Sequence, residues 1–225
     1  MTSQRLREML DEHLESAGML ANVFPAVEAL GDAICEALGN GNQIITFGNG
    51  GSAAEAGHLA AELLGRAGRE REPLAAIALN ADAATVTAIA NDYGYAEVFA
   101  RQVRGLANAG DIVLGISTSG RSENVLRGLR AGHDAGAVTA LLTGDAGTQG
   151  SDGVDHLVGV PSSSTSRIQE LHLIVVHLLC EIVDAWAMDQ GGASTRPRPK
   201  ASAAAPSRPA RSPSSAGRTS RSRTN

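Results

Sequence analysis

The chain has 225 residues, of which 43% are hydrophobic, 19% are charged and only 3% are aromatic. This length and apolar fraction allow one globular domain with a sizeable core, with or without a tail. The absence of a run of about 18 apolar residues excludes a membrane span, and the charged N-terminal stretch lacks the apolar segment of a signal peptide. Two cysteines, Cys35 and Cys180, are too few for a disulfide scaffold or a zinc ribbon, so we expect a cytoplasmic protein.

The formal net charge of −5 is spread unevenly along the chain. Residues 191–225 hold eight of the 19 Lys and Arg residues and no acid, which leaves 11 basic against 24 acidic residues, or −13, for residues 1–190. The segment 191–225 is rich in Ser, Pro, Ala and Arg, and it cannot bury enough apolar surface to offset its ordering entropy. We predict one domain over 1–190 and a disordered basic tail over 191–225, which would contact nucleic acid only through its charge.

Within the domain, helical and strand patterns alternate in chain order. Helical periodicity is found at 3–15, 20–38 with Pro25 in its first turn, 53–65, 84–90, 95–107, 122–135 and 167–188. Short apolar strands are predicted at 43–47, 74–79, 111–116, 137–142 and 156–160. This alternation predicts an α/β fold in which helices cover both faces of a parallel sheet.

Two small, hydroxyl-rich loops follow predicted strands and precede helices, at residues 48–52 (GNGGS) and 117–122 (STSGRS). Ligands bind at the carboxyl ends of the strands in such sheets, and a helix N-terminus presents unpaired N–H groups that suit a phosphate. We therefore predict a phosphate site there, whereas the dinucleotide fingerprint is incomplete and no P-loop motif is present. The alternative is that Ser52 and Ser122 only cap helices, since Ser52 and Glu55 have the spacing of a capping box.

A second group of candidate residues lies on two of the predicted helices. His58 and Glu62 are four residues apart on one helix face. Gln169 and His177 share a broad face of the last helix, because eight residues turn about 80° beyond two full turns. One carboxylate, two imidazoles and an amide oxygen would suit a divalent ion such as Zn²⁺. The alternative is a surface His/Glu pair on one helix and a core histidine on the other.

Four stretches carry a resemblance to a known family, and they read FGNGGSAAEAGHLAAELLGR, TAIANDYGY, GDIVLGISTSGRSENVLRGL and SRIQELHLIVVHLLCEIV. Together they resemble the phosphoheptose isomerases, which are the sedoheptulose 7-phosphate isomerases of the SIS (sugar isomerase) family. The resemblance runs from about residue 3 to 188. It implies a SIS-type three-layer sandwich with a five-stranded parallel sheet flanked by helices, a homotetramer, and active sites shared between subunits.

The resemblance also implies roles for individual residues. Positions similar to the family's phosphate cradle are Ser52, Ser117, Thr118, Ser119 and Ser122. Positions similar to its other substrate contacts are Asn49, Gly50, Gly51, Glu62, Asn91, Asp92 and Gln169. The family's zinc ligands, for one ion per subunit, match His58, Glu62, Gln169 and His177, and its catalytic acid/base pair matches Glu62 and His177.

The implied reaction is metal-assisted and converts D-sedoheptulose 7-phosphate, a ketose, into D-glycero-D-manno-heptose 7-phosphate, an aldose. It passes through an enediol(ate), and Glu62 would move the carbon-bound proton between C1 and C2. His177 would assist ring opening or protonation of oxygen, and the metal would act as a Lewis acid. Phosphate binding, remote from the reacting carbons, would orient the sugar.

Three alternatives stay open beside this isomerase. The first is a non-catalytic SIS-family partner of a replication initiator, which the basic tail keeps in view, although the combination of Glu62, Gln169 and His177 favours an enzyme. The second is a SIS regulator that only binds a sugar phosphate. The third is an isomerase that acts on a different sugar phosphate.

Overall fold

The computed structural model describes residues 2–150 and 153–189. The predicted tail at 191–225 lies outside these residues, so the division of the chain at residue 190 stays a prediction.

Seven α-helices and five β-strands form within the described ranges. The helices are α1 (Ser3–Gly18), α2 (Phe24–Gly39), α3 (Gly51–Leu64), α4 (Ala83–Tyr93), α5 (Val98–Leu106), α6 (Glu123–Asp134) and α7 (Thr165–Asp189). The strands are β1 (Ile44–Gly48), β2 (Ala76–Ala78), β3 (Ile112–Ile116), β4 (Val138–Gly144) and β5 (His156–Val160). Every predicted element is confirmed in kind and in order, with shifts of a few residues at the ends, and a 3₁₀ turn at Tyr95–Glu97 precedes α5.

The five strands form one parallel sheet in the order β2-β1-β3-β4-β5. The predicted α/β fold with a five-stranded parallel sheet between helical layers is therefore confirmed. Chain order reverses between β1 and β3, because β2 lies beyond β1 on one side while β4 and β5 extend from β3 on the other. Such a reversal leaves a crevice outside the carboxyl ends of the two central strands, and parallel α/β sheets bind ligands there.

Hydrophobic side chains that alternate along the strands fill two separate cores. Ile44 of β1 belongs to the core formed with α2, α3 and α7, whereas Ile45 and Phe47 belong to the core formed with α5 and α6. The Phe47 ring stacks on Phe99 of α5 with 4.8 Å between ring centroids. Both faces of the central strands β1 and β3 are thus buried, as the continuous apolar strands predicted.

By length and hydropathy alone, α7 and the stretch Ser3–Gly39 would be long enough to cross a membrane. However, Ser3–Gly39 consists of α1 and α2 with a 3₁₀ turn between them, and α7 packs against α2 and α3 and buries Asp184. Core helices pass the same test of length and composition, so this feature is weak evidence for a membrane span.

Gly132 on α6 lies where Val113 of β3 leaves no room for a larger residue. A Cβ at position 132 would lie 2.9 Å from Val113 Cβ, and a β-branched side chain in a packed strand is stiff. We predict that Gly132→Ala lowers the free energy of unfolding by about 1–2 kcal/mol in urea denaturation, because overpacking outweighs the gain in helix propensity. Gly105→Ala is the control, since nothing lies within 4 Å of a Cβ at this exposed position of α5, and it should change stability by at most about +1 kcal/mol. A stabilised Gly132→Ala protein would contradict the close packing.

Candidate functional site

The two hydroxyl-rich loops meet at the reversal point of the sheet. β1 and β3 pair in parallel, with Gly48 opposite Ile116, so residues 49–52 and 117–122 leave the sheet side by side at the same edge. The first loop leads into α3 and the second into α6. Two helix N-termini, each with unpaired N–H groups and a partial positive charge, therefore begin at the crevice.

Glycine shapes the first of these loops. A Cβ on Gly48 would lie 2.7 Å from the carbonyl oxygen of Ser52 and 2.9 Å from that of Ile116, so only glycine lets the end of β1 pass this close to α3. Gly50 has a φ of +57°, which favours glycine, and it is the N-cap of α3. The first donor bonded inside the helix is the Ala53 N–H, which leaves the N–H groups of Gly51 and Ser52 at the mouth of the crevice.

The alternative that the two serines cap helices is wrong for Ser52 and holds only in position for Ser122. The capping box of Ser52 and Glu55 does not form, because Gly50 starts α3 earlier than predicted and Ser52 is buried inside the first turn. Ser122 does occupy the N-cap of α6, but its side chain makes no capping hydrogen bond. Its Oγ instead lies 3.0 Å from Ser117 Oγ across the second loop. The hydroxyls are therefore grouped at the crevice rather than bound to the helix ends.

The remaining hydroxyls of the predicted cradle lie on the same turn. Gly120, with a φ of +61°, reverses the chain there, and Ser119 Oγ accepts a hydrogen bond from the Arg121 N–H at 3.2 Å. Ser119 is exposed and Thr118 is half-buried, whereas Ser117 is buried. Along the second loop, the exposure of the hydroxyl-bearing residues therefore increases from Ser117 at the sheet edge to Ser119.

Asn49 is held by a network that the sequence did not predict. Its Nδ2 donates to Asn124 Oδ1 and its Oδ1 accepts from Asn124 Nδ2, both at 2.9 Å. The Tyr95 hydroxyl donates to the same Asn49 Oδ1 at 2.9 Å. Both lone pairs of Asn49 Oδ1 are thus occupied, which fixes the orientation of this amide. The only sequence feature that pointed to Tyr95 is its place at the end of the TAIANDYGY stretch.

Asn91 and Asp92 lie apart from this network. They are exposed on the last turn of α4, where Asn91 Nδ2 donates to Asp92 Oδ1 at 2.8 Å. The contact that ties their segment to the crevice is the hydrogen bond of Tyr95 to Asn49. Within the described residues, no hydrogen bond links Asn91 or Asp92 to either loop.

The candidate ligands on the two helices converge. His58 Nε2 of α3 lies 3.1 Å from His177 Nε2 of α7 and 3.5 Å from Glu62 Oε1. Glu62 Oε2 is buried and has no hydrogen-bond partner in the described part of the chain. A buried carboxylate oxygen with no partner is unfavourable unless a proton donor or a cation satisfies it.

Gln169 approaches α3 from the same helix as His177. Its side chain contacts Gly51, where any Cβ would collide with the amide. Gln169 and His58 also line one cleft of about 360 Å³ between α3 and α7, and its other lining residues are Gly51, Ala54, Glu55, Glu170 and Leu173. Gln169 therefore contacts the N-terminal end of α3 and shares a cleft with His58, which belongs to the cluster of His58, Glu62 and His177 (the histidine cluster).

This donor set fits a divalent ion such as zinc. Two imidazole nitrogens and an unpaired carboxylate oxygen are typical zinc donors. Among residues 2–150 and 153–189, however, no three His, Cys, Asp or Glu side chains are placed so that they could hold a metal ion together, so the zinc site stays a prediction. Burial and the nearby Glu62 charge raise the pKa of Cys180 to about 12, so this thiol stays protonated and does not supply a thiolate.

The alternative of a core histidine describes His172, not His177. His172 is fully buried, and its Nδ1 lies 3.5 Å from Glu55 Oε2, whereas His177 faces His58 across the helix interface. His13, for which no role was predicted, pairs with Glu170 through an Nδ1–Oε2 distance of 2.6 Å and so joins α1 to α7.

Removing one hydroxyl from the second loop should weaken phosphate binding. We predict that Ser117→Ala lowers the affinity for inorganic phosphate about 5- to 10-fold, because a hydrogen bond to a charged group contributes about 1.5–3 kcal/mol and water replaces part of it. Isothermal titration calorimetry measures the change, and Ser16→Ala on α1 is the control. Unaltered phosphate affinity in Ser117→Ala would show that this loop is not the anion site.

Comparisons with known proteins agree with this geometry. Residues 15–144 match the family model described as SIS domain. A phosphoheptose isomerase of Aquifex aeolicus is 51% identical over 157 residues, which cover 70% of this chain and 82% of the relative. One of Helicobacter hepaticus is 45% identical over 179 residues, 80% of this chain and 91% of the relative. The solved structure of a phosphoheptose isomerase from Francisella tularensis superposes with a TM-score of 0.78 at 38% identity, and the match covers 82% of this chain and all of that one, 100%.

Proposed function

We propose a specific reaction for this chain from the premise that it belongs to the phosphoheptose isomerases of the SIS-domain family and is a sugar-phosphate aldose-ketose isomerase. The proposed reaction converts D-sedoheptulose 7-phosphate into D-glycero-D-manno-heptose 7-phosphate through an enediol(ate). The observation that carries this proposal is the meeting of His58, Glu62 and His177 across α3 and α7, on a helix whose N-terminus starts from a hydroxyl-rich loop at the sheet reversal.

Substrate orientation would come from the phosphate end. The hydroxyls of the two loops and the N–H groups of Gly51 and Ser52 would hold the phosphate at the edge of the sheet. The sugar chain would then extend along the cleft between α3 and α7, past Gln169, towards Glu62. Fixing the phosphate in this way places C1 and C2 next to the acid/base groups and lowers the entropic part of the barrier.

Proton transfer would use Glu62 and His177 as a pair. Glu62 would take a proton from C1 of the open-chain ketose, so that the electron pair forms the C1–C2 double bond of the enediol(ate). Return of a proton to C2, with loss of a proton from O1 and gain of one at O2, gives the aldose. His177, whose Nε2 lies 3.1 Å from His58 Nε2, would take the proton from O1 and give one to O2.

A metal ion would assist this chemistry. We propose one zinc ion per subunit, held by His58, Glu62, Gln169 and His177, and supported by the unpaired Glu62 oxygen. When bound, it would supply Lewis-acid polarisation of the substrate oxygens.

Self-association is the second part of the proposal. None of the residues of α1 is buried, and one face of this helix exposes Leu6, Leu10 and Leu14 by 55–59%. An exposed leucine stripe of this kind is typical of a surface that packs against another protein. We propose that the chain forms a homotetramer with shared active sites.

A cytoplasmic location is also proposed, supported by two buried cysteines that are not paired with each other.

The non-catalytic alternatives remain testable. A partner of a replication initiator, or a regulator that only binds sugar phosphate, has no need of the Glu62–His177 arrangement. A contact of the basic segment 191–225 with nucleic acid stays a prediction, since that segment lies outside the described residues. Incubation of the full chain and zinc with C5 to C7 ketose phosphates separates these cases, because only the proposed enzyme yields the heptose aldose.

Neutralising the proposed base should stop the reaction. We predict that Glu62→Gln lowers kcat by about 10²- to 10⁴-fold, because the amide cannot accept the carbon-bound proton. Product formation from sedoheptulose 7-phosphate measures the effect, and Glu36→Gln on the exposed face of α2 is the matched control. Near-normal turnover by Glu62→Gln would eliminate this mechanism.

Metal removal tests the proposed ion. We predict that chelation releases about one zinc per chain and that activity returns on adding zinc, whereas His58→Ala loses most of its zinc affinity because one of its four ligands is removed. Elemental analysis and calorimetric zinc titration give the readouts. Full activity in protein shown to be free of metal would remove the ion from the proposal.

A further inference from the structure

A buried ion pair next to the proposed site is not used by its chemistry. Arg71 Nε lies 2.6 Å from Asp184 Oδ1, and the two side chains are only 3% and 1% exposed. Arg71 follows α3 in the segment that leads to β2, whereas Asp184 lies on α7. The pair therefore connects the two helices that supply the histidine cluster.

The Arg71 guanidinium also caps the C-terminal end of α3. Its Nη2 donates to the carbonyl oxygen of Glu62 at 2.9 Å, and its Nη1 donates to that of Leu63 at 2.9 Å. These carbonyls belong to the last turn of a helix, where no intrahelical donor remains for them. A cation at this end also opposes the negative end of the helix dipole. Arg71 thus binds the backbone of the residue proposed as the base.

Asp184 fixes the same segment from the α7 side. Its Oδ2 accepts hydrogen bonds from the N–H groups of Gly68 and Arg69 at 3.2 and 3.3 Å. Burial by itself would raise the pKa of Asp184, but the hydrogen bonds from Arg71, Gly68 and Arg69 lower it below its ordinary value. Asp184 is seven residues after His177, about two helical turns, so both lie on one side of α7.

We propose that Arg71 and Asp184 are positioning residues, which hold the last turn of α3 against α7 so that His58 and Glu62 stay close to His177. This inference rests on the proposed function, because it assigns the pair a role in the same reaction. Besides capping the helix, Arg71 fixes the backbone of Glu62, the residue proposed as the base. Buried ion pairs are also a poor source of stability, since desolvation offsets much of their attraction.

Loss of the guanidinium should therefore impair turnover more than binding. We predict that Arg71→Ala lowers kcat about 10- to 100-fold, because a shift of about 1 Å at a reacting group has this effect. KM and inhibition by inorganic phosphate should change little, because the hydroxyl loops lie at the other end of α3. Guanidinium ion should restore part of kcat by filling the space left by the side chain, whereas urea, which has the same shape without the charge, should not.

Controls separate positioning from general destabilisation. Val183→Ala removes a buried side chain next to Asp184 and should lower stability without lowering kcat in the folded protein. If Arg71→Ala does not fold, Asp184→Asn takes its place, since it keeps the shape and loses the charge. Wild-type kcat in these variants, or an equal kcat loss in the equally destabilised Val183→Ala protein, would overturn the inference.

A readout that does not depend on catalysis separates this inference from the proposed function. In a His58→Cys/His177→Cys protein, a short bifunctional thiol reagent should link α3 to α7, while the buried Cys35 and Cys180 stay unreactive. Adding Arg71→Ala should slow this linkage several-fold, and an unchanged rate would contradict the positioning role. Lack of isomerisation by the wild-type chain would remove the proposed function and leave the linkage result standing.

Discussion

The contact between α3 and α7 is the constraint on which the site depends. Across it His58 Nε2 and His177 Nε2 lie 3.1 Å apart, although 119 residues separate them in the chain. α7 is held there by apolar packing, since its Leu171 and Val175 share one core with Leu59 of α3. Burial of each such side chain contributes about 1.5–3 kcal/mol. Hydrophobic packing thus places the polar groups, and the groups themselves need not stabilise the interface.

The sheet supplies the other half of the arrangement. Its reversal between β1 and β3 brings two loops and two helix N-termini to one edge, and these loops are built from residues with small side chains. In the proposed mechanism these loops would bind the phosphate, while the acid/base groups would come from α3 and α7. In such a division, binding energy at the remote phosphate orients the reacting carbons. Family membership and this geometry support the same chemistry from independent directions.

Much of this architecture could be predicted from local sequence, because Ile- and Val-rich runs and helical periodicity determine the elements one by one. The capping box of Ser52 and Glu55 was wrong because the left-handed Gly50 starts α3 before the serine. Contacts between distant residues were missed altogether. Asn124 lies 75 residues from Asn49, and Asp184 lies 113 residues from Arg71, so no spacing pattern could indicate either pair.

The central claim is that side chains from α3 and α7 act together in one step at one site. A double-mutant cycle of Glu62→Gln and His177→Asn on kcat/KM for sedoheptulose 7-phosphate tests it most directly. Residues that act as a unit have strongly non-additive effects. The double variant should therefore be about as slow as the slower single variant. Effects that multiply, as for two independent sites, would contradict it.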